Sequence, residues 1–120
     1  MMVLVDTSVW IDHFRSADQK LSELLVDNLV LGHPMVTGEL ACGSLRQRDE
    51  ILPLLKLLPQ AGSVEFEEML EFIENRRLYA VGLGWVDAML LASALTSNAQ
   101  IWTKDKNLIR AAKSLKINFH

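Results

Sequence analysis

Four carboxylates stand where their chemistry demands an explanation. Met1-Met2-Val3-Leu4-Val5 runs straight into Asp6, and Glu39, Asp87 and Asp105 occupy similarly apolar or strand-end settings far along the chain. Carboxylates gathered at the edge of a core repel one another, each pair costing roughly 3 kcal/mol at ~5 Å and an effective dielectric of ~20. Shared protons or a bound divalent cation offset such a cost. Oxygen donors with no Cys or His beside them point to a hard cation, magnesium or manganese.

Each acid taken singly has a plainer role open to it. Asp6 can start the turn after the first strand, Asp87 can cap the apolar helix that follows it, and Asp105 can cap the last helix. Those roles do not explain why all four, Glu39 included, lie where an α/β chain converges. Asp12, Asp18, Asp49 and the glutamates of 65–74 read as solvated surface.

The elements that must position the acids follow from the hydropathy pattern. Met2–Val5 reads as a central parallel strand, apolar without interruption, and a short helix should start at Thr7. Asp18 can cap a helix carrying Leu21, Leu24, Leu25 and Leu29. A second strand is expected at Leu29–Leu31. Pro34 then opens a helix that carries Glu39 and runs to about Arg46 with Gly43 inside it. Another helix spans Ile51–Leu58, stopped by Pro59, and Ser63-Val64 reads as a brief third strand.

Phe66, Met69, Leu70 and Ile73 form one face of a helix closed by Arg76 and Arg77. Val86–Leu95, apolar nearly all round, is a buried helix entered through Asp87. Ile101–Thr103 is expected as strand, Asp105–Leu115 as a basic helix and Ile117–Phe119 as a last strand. Strands alternating with helices imply a three-layer α/β/α domain around a central parallel sheet. Ligands of such sheets collect beyond the carboxyl ends of the strands, where strand order reverses, within reach of Asp6 and Asp105.

Size and balance bound the function. At 120 residues, half of them hydrophobic, the chain is a single domain over 1–120. Its net charge of −3 gives no whole-molecule attraction to nucleic acid, so any such binding must use a local basic patch and cation screening. The charge is uneven: residues 65–75 hold five Glu and no base before Arg76, whereas 104–116 hold five Lys or Arg against Asp105 alone. Cys42, the single cysteine, excludes an internal disulfide and reads as a small buried filler. No basic stretch precedes the N-terminal apolar run, and Asp87 interrupts the longest apolar neighbourhood, so no signal segment or membrane span is expected and the chain is read as cytoplasmic.

In order along the chain come Asp6-Thr7-Ser8-x-Trp10-Ile11-Asp12, Thr37-x-Glu39-Leu40-x-x-Gly43, Val86-Asp87-Ala88 opening an apolar helix, and Trp102-Thr103-Lys104-Asp105 ending a strand. Together these resemble the PIN domain, more narrowly the VapC-type toxins of bacterial toxin–antitoxin pairs, and the resemblance covers essentially the whole chain. It implies a magnesium-dependent endoribonuclease site at Asp6, Glu39, Asp87 and Asp105, a cognate antitoxin whose peptide fills the groove, a homodimer, and promoter DNA bound only through the antitoxin. It departs at Lys106-Asn107-Leu108, where the family often has a further polar or acidic residue, which bears on a second metal position.

Thr7 and Thr103 are then candidates to orient carboxylates or waters, and Lys104, Lys106 and Arg110 to hold RNA phosphates. Trp10, Trp85 and Trp102 are expected in the core, and His13, His33 and His120 have no ligand spacing. Two rivals remain: a response-regulator receiver-like domain, which needs an acidic pair after the first strand and a phosphorylatable Asp after the third, and a non-catalytic binding subunit of the same fold.

Overall fold

Val3–Val5 (β1) is the centre of the molecule because nothing polar interrupts it and both its faces are covered. None of its three residues is more than 1% exposed. The computed structural model describes all residues, Met1–His120. Val30–Leu31 (β2) and Gln100–Trp102 (β3) pair with β1 in parallel, one on each side, in the order β2-β1-β3. Val3 lies opposite Val30 and Gln100, and Val5 opposite Trp102. Strand order therefore reverses at β1, and a crevice opens beyond its carboxyl end.

Seven helices complete the three-layer α/β/α arrangement: Thr7–Arg15 (α1), Gln19–Val26 (α2), Pro34–Cys42 (α3), Arg48–Leu57 (α4), Phe66–Asn75 (α5), Trp85–Thr96 (α6) and Lys106–Ser114 (α7). Helix α6 packs on β1 and β3, burying Ala88, Leu90, Leu91, Ala92, Ser93 and Ala94, as its all-round apolar sequence requires. Asp18 caps α2 by accepting from the Leu21 N–H at 3.0 Å. The main core joins the sheet to Val9, Trp10, Leu21, Leu40, Leu55 and Leu108, among others.

Several local expectations are corrected. Helix α3 stops at Cys42 with Gly43 as its C-cap, so Gly43 ends the helix and does not lie within it. Helix α4 starts at Arg48 and accommodates Pro53. Ser63-Val64 forms no strand; the sheet is instead extended at Gly32↔Gln60 by one parallel bridge. The last strand shrinks to a single bridge, Ile101↔Asn118, although the Ile101 N–H donates to Ile117 O and the Phe119 N–H donates to Ile101 O. Short stretches with few ladder partners cannot propagate, which is why apolar pairs such as Ser63-Val64 overstate strand.

Cys42 is exposed and not a buried filler, because α3 turns that face to solvent at its last residue. Of the tryptophans, Trp10 is buried and Trp102 half-buried, but Trp85 is 44% exposed, tilted against exposed Phe66 with ring centroids 5.6 Å apart.

Candidate active site

Three of the acids are delivered by the ends of elements. Asp6 ends β1 and is the N-cap of α1, its Oδ1 accepting from the Thr7 N–H at 2.8 Å. Its Oδ2 accepts from the Thr103 hydroxyl at 2.6 Å and the Ser8 hydroxyl at 3.1 Å. Asp6 is only 8% exposed, so these donors replace the water it loses. Asp105 caps α7, with Oδ1 accepting from the N–H groups of Asn107 and Leu108 at 2.9 and 3.0 Å. Asp87 sits in the first turn of α6 and accepts from the Gly84 N–H at 3.0 Å. The plainer capping roles are thus real, and they are also what aims the carboxylates.

Glu39 reaches the group from the outer part of α3, where its Oε1 accepts from the Thr7 hydroxyl at 2.7 Å across 32 residues of sequence. Of the two threonines singled out in the sequence, Thr7 donates to Glu39 and Thr103 donates to Asp6. Thr103 Oγ1 also accepts from the Asp105 N–H at 3.1 Å. Ser8 was not anticipated. Its hydroxyl donates to Asp6 and accepts from the Lys104 N–H at 3.0 Å, tying the α1 entry to the loop after β3. The signal for it was its place in the Asp-Thr-Ser run, where alternate hydroxyls face different neighbours.

Burial is the main reason the Asp87 carboxyl is pushed above the usual carboxylate range. The Gly84 hydrogen bond pulls it down, and the charges of Asp6, Asp105 and Glu39 push it up. All four acids therefore share one electrostatic neighbourhood. As the side chains stand, no three form a closed metal-ligating cluster. The donor set nonetheless fits a hard cation: Glu39 Oε2, Asp87 Oδ1 and Asp105 Oδ2 accept no hydrogen bond from the protein, while the opposite oxygen of each is anchored. Anchored anionic oxygens beside open ones suit magnesium, which keeps several waters.

The loop before α6 meets the first turn of α7. Gly82 has φ +82°, and a Cβ there would collide with the Asn107 side chain, whose amide donates to Gly82 O at 3.3 Å. That contact holds the entry of α7 against the entry of α6, the helices that carry Asp105 and Asp87. Of the three basic candidates, Lys104 is engaged by Asp12 in an exposed ion pair, which holds the Asp12 carboxyl below its usual range. Asp12 is thus a partner of Lys104 and not free surface. Lys106 is exposed at the start of α7, and Arg110 donates to Asn107 Oδ1 at 3.2 Å.

His33 is the other residue that sequence reasoning passed over. It is 5% exposed, caps α3 by accepting from the Met35 N–H at 3.0 Å through Nδ1, and lies 3.0 Å through Nε2 from the Ser93 hydroxyl. Accepting at Nδ1 places the proton on Nε2, which donates to Ser93. Burial pushes its pKa down. His33 therefore joins α3, the helix of Glu39, to α6, the helix of Asp87.

Known proteins resemble this chain in sequence and in fold. The PIN domain description matches residues 3–114. Ribonuclease VapC32 of Mycobacterium tuberculosis, in strains CDC 1551 / Oshkosh and ATCC 25618 / H37Rv, is 53% identical over 108 residues, 89% of this chain and 87% of the relative. The crystal structure of PAE2754 from Pyrobaculum aerophilum superposes with a TM-score of 0.61 at 15% identity, covering 96% of this chain and 86% of that one, a likeness of fold.

Proposed function

Because this chain belongs to the PIN-domain family, we propose that it is a magnesium-dependent endoribonuclease, the toxin of a type II toxin–antitoxin pair, acting at Asp6, Glu39, Asp87 and Asp105. The observation that carries the reading is how the acids are tied together beyond the sheet: Asp6 follows β1 and Asp105 follows β3, the Thr103 hydroxyl bonds both Asp6 and the Asp105 N–H, and Thr7, next to Asp6, bonds Glu39. The 53% identity to a protein named as a ribonuclease supports the same chemistry.

Asp6, Asp87 and Asp105 would hold the cation, Mg2+ or Mn2+. When bound, it supplies charge neutralisation at the phosphodiester and acidifies water. Asp6 is the fixed point, since Thr7, Ser8 and Thr103 set the orientation of both its oxygens. Glu39, anchored through Oε1 by Thr7, offers Oε2 to orient a water and take its proton as the water oxygen adds to phosphorus. The bond from phosphorus to the leaving ribose oxygen then breaks, and that oxygen takes a proton from solvent. Lys106 and Arg110 hold flanking phosphates, with Lys104 contributing where RNA competes with Asp12.

We place the protein in the cytoplasm as a homodimer whose groove is filled by an antitoxin peptide, with promoter DNA reached only through the antitoxin. No helix is long and apolar enough to cross a membrane. The test is cleavage of structured RNAs by antitoxin-free protein with magnesium or manganese, beside chelator and Asp6→Asn. Cuts that vanish in both controls are expected; none from folded, metal-loaded protein on a broad RNA panel overturns the reading in favour of a binding subunit. Growth arrest relieved by co-expressed antitoxin tests the toxin role.

A further inference from the structure

We propose that the cleft along the β3 edge of the sheet, between α7 and the C-terminal segment, is a nucleotide subsite that seats one unpaired residue of the RNA beside the cleaved phosphodiester. The proposal rests on the RNA reading above and adds the place where a base is held. The cleft measures about 540 Å3, the size range of small-molecule sites. Thr103 lines it and also donates to Asp6, so the cleft and the acids share a residue.

Its lining has the chemistry that recognises single-stranded nucleic acid. Trp102 and Phe119 form one wall, with ring centroids 5.2 Å apart and planes tilted by 48°. Lys113 and His120 also line the cleft, and Lys20 Nζ lies 5.4 Å from the centroid of the Phe119 ring. No Asp or Glu lines this cleft, although the chain as a whole is acidic. Lys113 is in no ion pair, the single pair of the molecule being Lys104 with Asp12, whereas Lys20 lies outside the lining. Aromatic rings beside an unpaired ammonium group bind a base by its π-face and its phosphate by charge. Asn118, also in the lining, carries the donor and acceptor that can read a base edge.

The same cations would suit an inorganic anion, but an anion has no use for the aromatic wall, and a base does. The occupant is therefore a nucleotide within a single strand.

The experiment is an NMR titration of 15N-labelled Asp6→Asn protein, without divalent cations, with a short single-stranded oligoribonucleotide. The indole N–H resonance of Trp102, identified by its loss in Trp102→Phe, is expected to move while that of buried Trp10 stays. Lys113→Glu, at an exposed position that leaves the fold intact, is expected to weaken binding about tenfold or more, and Phe119→Leu by several-fold. Shifts confined to the neighbourhood of Asp6 and Asp87, or equal binding of an abasic oligomer, overturn the proposal. Shifts at Trp102 without RNA cleavage by the wild-type protein leave the subsite standing and remove the nuclease. Wild-type cleavage whose KM is unaltered by Lys113→Glu does the reverse.

Discussion

The hydroxyl of Thr103 joins the acids at the ends of two neighbouring strands: it donates to Asp6 Oδ2 at 2.6 Å and accepts from the Asp105 N–H at 3.1 Å. One buried group thus sets the orientation of the acid after β1 and the path of the chain into the acid after β3. Thr103→Val keeps the shape and removes both bonds. It is expected to cost about 1–3 kcal/mol of stability and to reduce kcat/KM, whereas Thr103→Ser retains most of both. Denaturant unfolding alongside cleavage rates makes the comparison; a Thr103→Val protein as active as wild type contradicts the role assigned here.

Asp6→Asn should abolish cleavage and leave the fold in place. The substitution relieves repulsion and keeps an N-cap of equal quality, while one of the oxygens that Ser8, Thr103 and the Thr7 N–H engage becomes a donor. These effects oppose each other, so stability is expected to change by less than about 2 kcal/mol. Circular dichroism with the cleavage assay decides it, and full activity in the variant would falsify the mechanism.

Metal-free stability should depend on Asp87 with a definite sign. Its folded pKa lies above the ordinary 3.8, so the folded state binds the proton more tightly and loses stability as pH rises from 3.8 through the raised value. The penalty is fully present above that window. Asp87→Asn should therefore raise Tm at neutral pH and flatten this slope, while retaining an acceptor for the Gly84 N–H. Magnesium at about ten times its Kd should stabilise the wild type by about 1.4 kcal/mol and do little for the variant. A magnesium-induced Tm shift that survives in Asp87→Asn removes Asp87 from the cation site.

His33 gives the opposite sign. Burial holds its pKa below 6.5, and only the neutral ring can accept the Met35 N–H at Nδ1. Its contribution is present above pH 6.5 and is lost as pH falls through 6.5 toward the depressed folded value. His33→Asn keeps a capping oxygen but gives up the reach to Ser93, so it should lower stability by about 1 kcal/mol at pH 7.5. Its Tm should no longer fall with acid over that interval. Thermal scans of both proteins from pH 5 to 8 test this, and parallel curves would rule it out.

Phosphate contacts predict a salt signature. Lys106→Ala and Arg110→Ala should each weaken RNA binding across sequences and lower the slope of log K against log salt by about one. Lys104→Ala should change less, because Asp12 already engages that ammonium. Filter binding at several salt concentrations separates them; equal losses for Lys104 and Lys106 would mean that RNA displaces Asp12 completely.

What the residues determined alone was the local grammar. An uninterrupted apolar run ending in Asp6 had to be a covered strand, an all-round apolar helix after Asp87 had to be buried, and Asp18 and Asp105 had to cap, because each outcome depends on side chains within a turn or two. The placement of Asp6, Asp87 and Asp105 was legible for the same reason: each stands where a strand ends or a helix begins. Tertiary structure decided the rest. Whether Ser63-Val64 or Ile117–Phe119 became strand depended on partners elsewhere in the chain, and each proved to have too few. The exposure of Trp85 and Cys42, the capture of Lys104 by Asp12, and the bond from His33 to Ser93 across 60 residues were set by which surfaces the packed layers left uncovered. Burial and charge coupling act through space, and distance through space is what a linear order of residues does not contain.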